Sequence, residues 1–194
     1  RYWILFFVIM STESLRRDHE LIEKVIKAMQ STIELLNDKK QIPESILLPV
    51  IDFSKNFTDV CHHTKEEKSL FPALEEAGMP TTMGPIAMML LDHQRSREIG
   101  NEMEKSAKEY LSSGNSEKLI ADMQLYVDHI TEHLWKENNK LFMMAEARLQ
   151  NVSKKVNEEL DTIEKSQLND LGKSRQHYEQ LAENLTRDVS NKKN

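Results

Sequence analysis

The chain has 194 residues, of which 39% are hydrophobic and 30% charged, with five glycines, five prolines and a net charge of −6. That length and balance describe one globular domain with a sizeable core and exclude a disordered or fibrous chain. The acidic surplus without a basic stripe gives no reason to expect nucleic acid. The single cysteine, Cys61, excludes an internal disulfide framework and fits a reducing, cytoplasmic compartment.

The chain opens with "RYWILFFVIM", nine apolar residues behind one arginine. A bilayer span needs roughly 20 apolar residues, so no transmembrane helix is expected. No small-residue cleavage site follows, which argues against a signal peptide. Residues 1–10 are therefore expected to be an apolar extension outside the fold, with Met10 opening "MSTES"; a membrane-associating stub is the rival reading. The first helix is expected from Ser11 or Thr12, both residue types that cap helices. Its inward stripe reads Leu15, His19, Ile22, Ile26, Met29, Ile33, Leu36, alternating in threes and fours.

"NDKKQIPES" interrupts that pattern, and Pro43 is placed to open a second helix. This helix is expected to run to Ala77 and stop at Gly78, with the stripe Phe53, Phe57, Val60, His63, Glu67, Leu70, Leu74. Pro49 and Pro72 lie inside it, so a kink or irregular turn is expected. A third helix begins near Pro85, with Ile86, Leu90, His93, Gly100, Met103, Ala107 and Tyr110 on one side. After the turn "SSGNS", a fourth runs from about Glu117 to Leu149, with Met123, Tyr126, Ile130, His133, Glu137, Leu141 and Met144 inward. The sum is an all-α fold, an up-down-up-down four-helix bundle over residues 11–149. Residues 150–194 form an additional C-terminal helical segment, with helical spacing at Val152, Val156, Leu160 and Ile163 and at Tyr178, Leu181 and Leu185. It is expected to pack on the bundle or on a partner, a second copy of the chain included.

Each of the four helices puts one histidine into its own stripe: His19, His63, His93 and His133. On the second and fourth, a glutamate follows four residues later, Glu67 and Glu137, and residues i and i+4 share a helix face. Two buried carboxylates without partners would cost several kcal/mol each, and a pair of divalent cations removes that cost. Imidazole with carboxylate suits transition metals, and so many ligands exceed one tetrahedral zinc. A single histidine in a core stripe is more often a satisfied core residue, but one on each helix makes coincidence a poor explanation. His62 and Glu66 are also four apart, turned about 100° away. They read as an exposed pair, unless the register is off by one. His129, one turn before His133, is either a seventh ligand or a partner standing behind one. His177 reads as exposed, Cys61 as a small buried residue, and the methionines mostly as core filler.

Four stretches in order, "RRDHELI", "HTKEEKSLFPALEEAGMP", "GPIAMMLLDHQRSR" and "EHLWKENNKLFMMAEARL", resemble the hemerythrin-like (HHE cation-binding) family over roughly Ser11 to Leu149. The resemblance implies a non-haem di-iron centre in a four-helix bundle. His19, His63, His93 and His133 would bind iron, Glu67 and Glu137 would bridge it, and O₂ or a related diatomic would bind at an open iron position. Members of the family are oxygen carriers, oxygen or redox sensors, and iron-handling or nitric-oxide-related proteins. The usual His-x-x-x-His pair on the third helix is missing, because Met89 and Arg97 flank His93 at that spacing. The resemblance therefore leaves one iron short of a ligand.

Three functions follow as expectations. The first is an oxygen or redox sensor or carrier that is not an enzyme. The second is an iron-handling or peroxide-consuming di-iron oxidase, although the Glu-x-x-His pairs of ferritin-like sites do not occur at any histidine here. The third is a helical interaction module held together by a structural metal.

Overall fold

A computed structural model describes residues 10–193. Of the apolar extension expected at 1–10, only Met10 falls within the described residues. These are helical, with no strand among them: α1 (Glu13–Asn37), α2 (Glu44–Asp52), α3 (Phe71–Glu76), α4 (Gly84–Ser113), α5 (Glu117–Lys136), α6 (Phe142–Arg148), α7 (Ser153–Asp170) and α8 (Arg175–Lys193). Between α2 and α3 the helix does not break but widens, with π-helical turns at Phe53–His63 and Glu66–Leu70; Glu137–Leu141 does the same between α5 and α6.

Every residue of the stripe expected on α1 is buried. Thr12 is the N-cap residue, but its side chain caps nothing; the hydroxyl donates instead to Glu146 and ties the start of α1 to α6. Pro49 sits inside α2 and offers no N–H to the preceding turn. Five residues on, the Ser54 hydroxyl donates to the Val50 carbonyl at 2.8 Å, and the wide turns begin beside it at Phe53. Gly78, with φ at +87°, closes the run after α3, its N–H on the Glu75 carbonyl and that of Met79 on Leu74. This is the left-handed stop that glycine makes at no steric cost.

On the second run Val60 is only half-buried, Cys61 taking the inward place, and two further stripe positions are corrected on the later helices. On α4 Met89 is buried and Leu90 exposed, since a step of three from Ile86 keeps the inward face as well as a step of four. Met144 is exposed, while Phe142 and Ala145 point inward, because the wide turn at Glu137–Leu141 advances the phase of α6.

The apolar core has two parts. One gathers Ile22, Met29, Phe57, Met103, Met123 and Tyr178; the other gathers Leu15, Leu70, Leu74, Ile86, Phe142 and Leu160. On α1, the second run and α4 the candidate ligands lie in sequence between the residues of the two parts; on the fourth run His133 adjoins Leu134 of the first part and Glu137 leads on to Leu141 of the second. The polar site is thus a band closed above and below by hydrocarbon. α8 packs on α1, and α7 packs on the two wide-turn segments of the second run. Tyr178, Ala182, Leu185 and Val189 of α8 belong to the core. His177 is exposed as expected, whereas Val152, expected in the apolar stripe of the C-terminal segment, is exposed because it lies in the short turn before α7.

Candidate metal centre

Buried side chains from α1, the second helical run, α4 and α5 converge in the polar band. His19, His62, Glu66 and Glu137 bring one ligand atom each to within 4.8 Å of one another; Glu66, His93, His133 and Glu137 do the same, and so do His63, His93 and His133. The first two groups share both glutamates. All seven side chains are buried.

The orientation of the rings is the informative feature. His19 Nδ1 lies 2.9 Å from Asn138 Oδ1, His62 Nδ1 3.1 Å from Asp18 Oδ2, His63 Nδ1 3.3 Å from Asp59 Oδ1 and His93 Nδ1 2.8 Å from Glu67 Oε1. Each partner accepts a proton, so each ring donates Nδ1–H outward and turns the Nε2 lone pair inward. His133 follows the pattern more loosely, with Nδ1 at 3.6 Å from Asp92 Oδ2, attraction without a hydrogen bond.

Inside the cage the polar atoms are crowded and unsatisfied. His19 Nε2 and His62 Nε2 stand 3.2 Å apart, two lone pairs face to face unless a proton or a cation lies between them. His19 Nε2 is 3.1 Å from Glu137 Oε2, His93 Nε2 is 3.2 Å from Glu66 Oε2, and His133 Nε2 is 3.2 Å from Glu137 Oε1. None of these approaches is aligned as a hydrogen bond. The Nε2 atoms of His63, His93 and His133 and both oxygens of Glu66 and Glu137 are buried without a hydrogen-bond partner. Each such atom costs about 1–3 kcal/mol if nothing answers it. Separations near 3 Å are also the edges of a coordination polyhedron whose metal–ligand bonds are about 2.0–2.2 Å. The donor set and its unsatisfied atoms fit divalent transition-metal ions.

The electrostatics agree. Burial pushes Glu137 up, but His133, His19 and His93 outweigh it and hold the carboxyl well below its ordinary range. Burial pushes His93 down, yet Glu137, Glu66 and Glu67 hold it well above its usual value; burial pushes His19 down too, and Glu137 raises it above its usual value. Burial and then the neighbouring His93 and His133 drive His63 well below the ordinary imidazole value. Without a cation the cage recruits protons onto its rings to neutralise its carboxylates, which are the protons a metal would displace.

Of the residues expected from sequence, His19, His63, His93, His133 and Glu137 meet in the band. Glu67 does not: its side chain is 27% exposed, and Oε1 accepts from His93 Nδ1 and, at 2.7 Å, from Arg97 Nη2. His129 stays outside as well, its Nε2 donating to the Asp92 carbonyl at 2.9 Å and facing the Ser96 hydroxyl at 3.0 Å. The pair expected to be exposed, His62 and Glu66, is fully buried in the band. The π-helical turns supply the reason: with more than 3.6 residues per turn the inward face advances by four or more residues at each turn, from Phe57 to Cys61 and His62 and on to Glu66 and Leu70, and so takes in the pair that a constant pitch turns away. His62 and His63 both turn inward, so the second run supplies two imidazoles where the third supplies one. The outer acceptors Asp18, Asp59 and Asn138 were missed; Asp18 adjoins His19 and Asn138 adjoins Glu137, but adjacency alone does not tell which side chains turn toward a ring. A cleft of about 230 Å³ lined by Lys55, Asn56, Asp59, Arg97 and Tyr126 reaches His63 from outside.

The model of the hemerythrin HHE cation-binding domain matches residues 10–145. The chain belongs to this family. The domain match with the convergent His/Glu groups points to metal binding. Among curated proteins, the chain is 24% identical over 136 residues to uncharacterized proteins of Mycobacterium bovis and Mycobacterium tuberculosis, covering 69% of this chain and 52% of theirs. The chain thus spans about half the length of the curated relatives it matches. No solved structure matches it. Among the described residues, no helix is long and apolar enough to cross a membrane.

Proposed function

We propose that this hemerythrin-like chain holds two non-haem iron ions and binds O₂ or a related diatomic, as an oxygen or redox sensor or carrier. His19 and His62 would serve one ion, His63, His93 and His133 the other, with Glu66 and Glu137 shared between them. The observation that carries the reading is the common orientation of the rings, Nδ1–H anchored outward and Nε2 inward, around two carboxylates with no other partner. His63 would make good the histidine missing from the third helix. The ion on the His19 side would have one imidazole fewer, leaving room there for a small ligand. When bound, reduced iron supplies the electrons that hold O₂.

The protein's own groups do the rest. Asp18, Asp59, Asn138 and Glu67 fix the tautomer and angle of the rings. The two apolar core regions shut bulk water out of the band and strengthen its electrostatics. The same reading makes residues 11–149 an up-down-up-down four-helix bundle and 150–194 its helical extension, working in the cytoplasm. The test is anaerobic loading with Fe²⁺, counting of bound iron, and then admission of air. About two iron ions per chain and new visible absorption that reverses on removing O₂ are expected. Zinc taken up with no redox spectrum would favour a structural metal, and sustained O₂ consumption with excess Fe²⁺ would favour an iron oxidase.

A further inference from the structure

A buried charge network lies against the centre and meets the cage through Asp18, the acceptor behind His62. Lys65 is fully buried. Its Nζ is 2.6 Å from Asp18 Oδ2, 2.7 Å from Glu164 Oε2 and 3.0 Å from Ser14 Oγ. Arg175, the first residue of α8, donates from Nη1 to Asp18 Oδ1 at 2.7 Å and to Glu164 Oε2 at 3.1 Å, and its guanidinium lies 5.8 Å from the Phe57 ring centre. Asp18 is therefore held at both oxygens: Oδ1 by Arg175, Oδ2 by Lys65 and by the ring N–H of His62. Two of the four charged members, Glu164 and Arg175, come from α7 and α8, beyond the stretch that matches the family.

We infer that Lys65 and Arg175 are positioning residues for the metal centre, acting on His62 through Asp18, and that the C-terminal helices α7 and α8 thereby belong to the site. The inference rests on the di-iron reading above. A buried set of charges is a poor way to gain stability, since well-packed apolar groups of the same volume do as well or better. What it supplies is direction. Asp18 held from both sides has one orientation, and His62 then has one tautomer and one ring angle. Losing Arg175 also removes a positive charge near a cation, which by itself would favour the metal. Lys65 remains 2.6 Å from Asp18 and still neutralises it, so the loss of orientation dominates.

The test uses the full-length chain loaded anaerobically with Fe²⁺ and challenged with excess bipyridine, following the release of each ion. Arg175→Gln is expected to speed the loss of one of the two ions about 10–100-fold, the usual effect of removing a partner behind a ligand, and to leave the other unchanged. Arg175→Lys is expected to restore most of the difference. Glu164→Gln, which keeps the shape of the network, gives a second reading should Arg175→Gln fail to fold, with faster loss of the same ion. Leu185→Ala loosens α8 within its apolar contacts, away from Asp18, and should alter neither rate. Release from Arg175→Gln identical to the wild type overturns the inference alone, as does equal acceleration by Leu185→Ala. A wild-type chain that takes up no metal overturns the di-iron reading and this inference together.

Discussion

Neighbouring glutamates divide the work of the site. Glu66 is fully buried, with both oxygens unanswered by any hydrogen bond; Glu67 is partly exposed and bonded to His93 Nδ1 and Arg97. Glu66→Ala should therefore abolish the uptake of at least one iron, measured as metal per chain after gel filtration. Glu67→Gln should keep both ions and weaken binding by about 10–100-fold, since its amide oxygen still accepts from His93. His62→Ala should lose one ion, the one on the His19 side, while His129→Ala should leave metal content unchanged. Binding should weaken as pH falls, from above the ordinary imidazole range, because the carboxylates around His93 and His19 outweigh burial and hold protons on these rings to higher pH than usual, and a ring must shed that proton to bind a metal. A metal titration at stepped pH checks the sign: affinity rises with pH until the rings are neutral.

At the scale of the element, the widened turns decide what the histidines do. Where the helix keeps 3.6 residues per turn, the sequence places most side chains correctly: all seven residues of the α1 stripe are buried as expected, and on α4 only Leu90 gives way, to Met89. His133 and Glu137 also keep their spacing, because the wide turn begins only at Glu137. Where π-helical turns intervene, the projected face slips by one residue: Glu66 takes the place expected of Glu67, and Ala145 that of Met144. Periodicity could not show this, since it assumes a constant pitch; Pro49 and Pro72 signalled irregularity but not its phase. A deletion tests the point. Removing Ser54 should return Phe53–His63 to a narrower pitch, keep the helix content seen by circular dichroism, and abolish iron binding because His62, His63 and Glu66 turn away.

On the scale of the whole molecule, a polar band sits between two apolar regions, and the C-terminal helices close its side. The existence of α7 and α8 was legible from their apolar spacing, but their docking was not: no local pattern says that Arg175 meets Asp18 or that Tyr178 enters the core beside Phe53 and Phe57. Tyr178→Ala should destabilise the full chain by roughly 3–5 kcal/mol, the usual effect of emptying a large aromatic site, read as a shift in the urea midpoint. Iron should act in the opposite sense. A ligand that binds only the folded chain, present at about 100 times its Kd, adds about 2.7 kcal/mol, and chelation should lower Tm accordingly.

Anomalous diffraction at the iron edge from crystals of the loaded chain tests the central claim most directly. Two peaks are expected in the polar band, both in contact with Glu66 and Glu137, with His62 on one and His63 on the other. A single peak, or ions bound by Glu67 with Glu66 turned away, would contradict it.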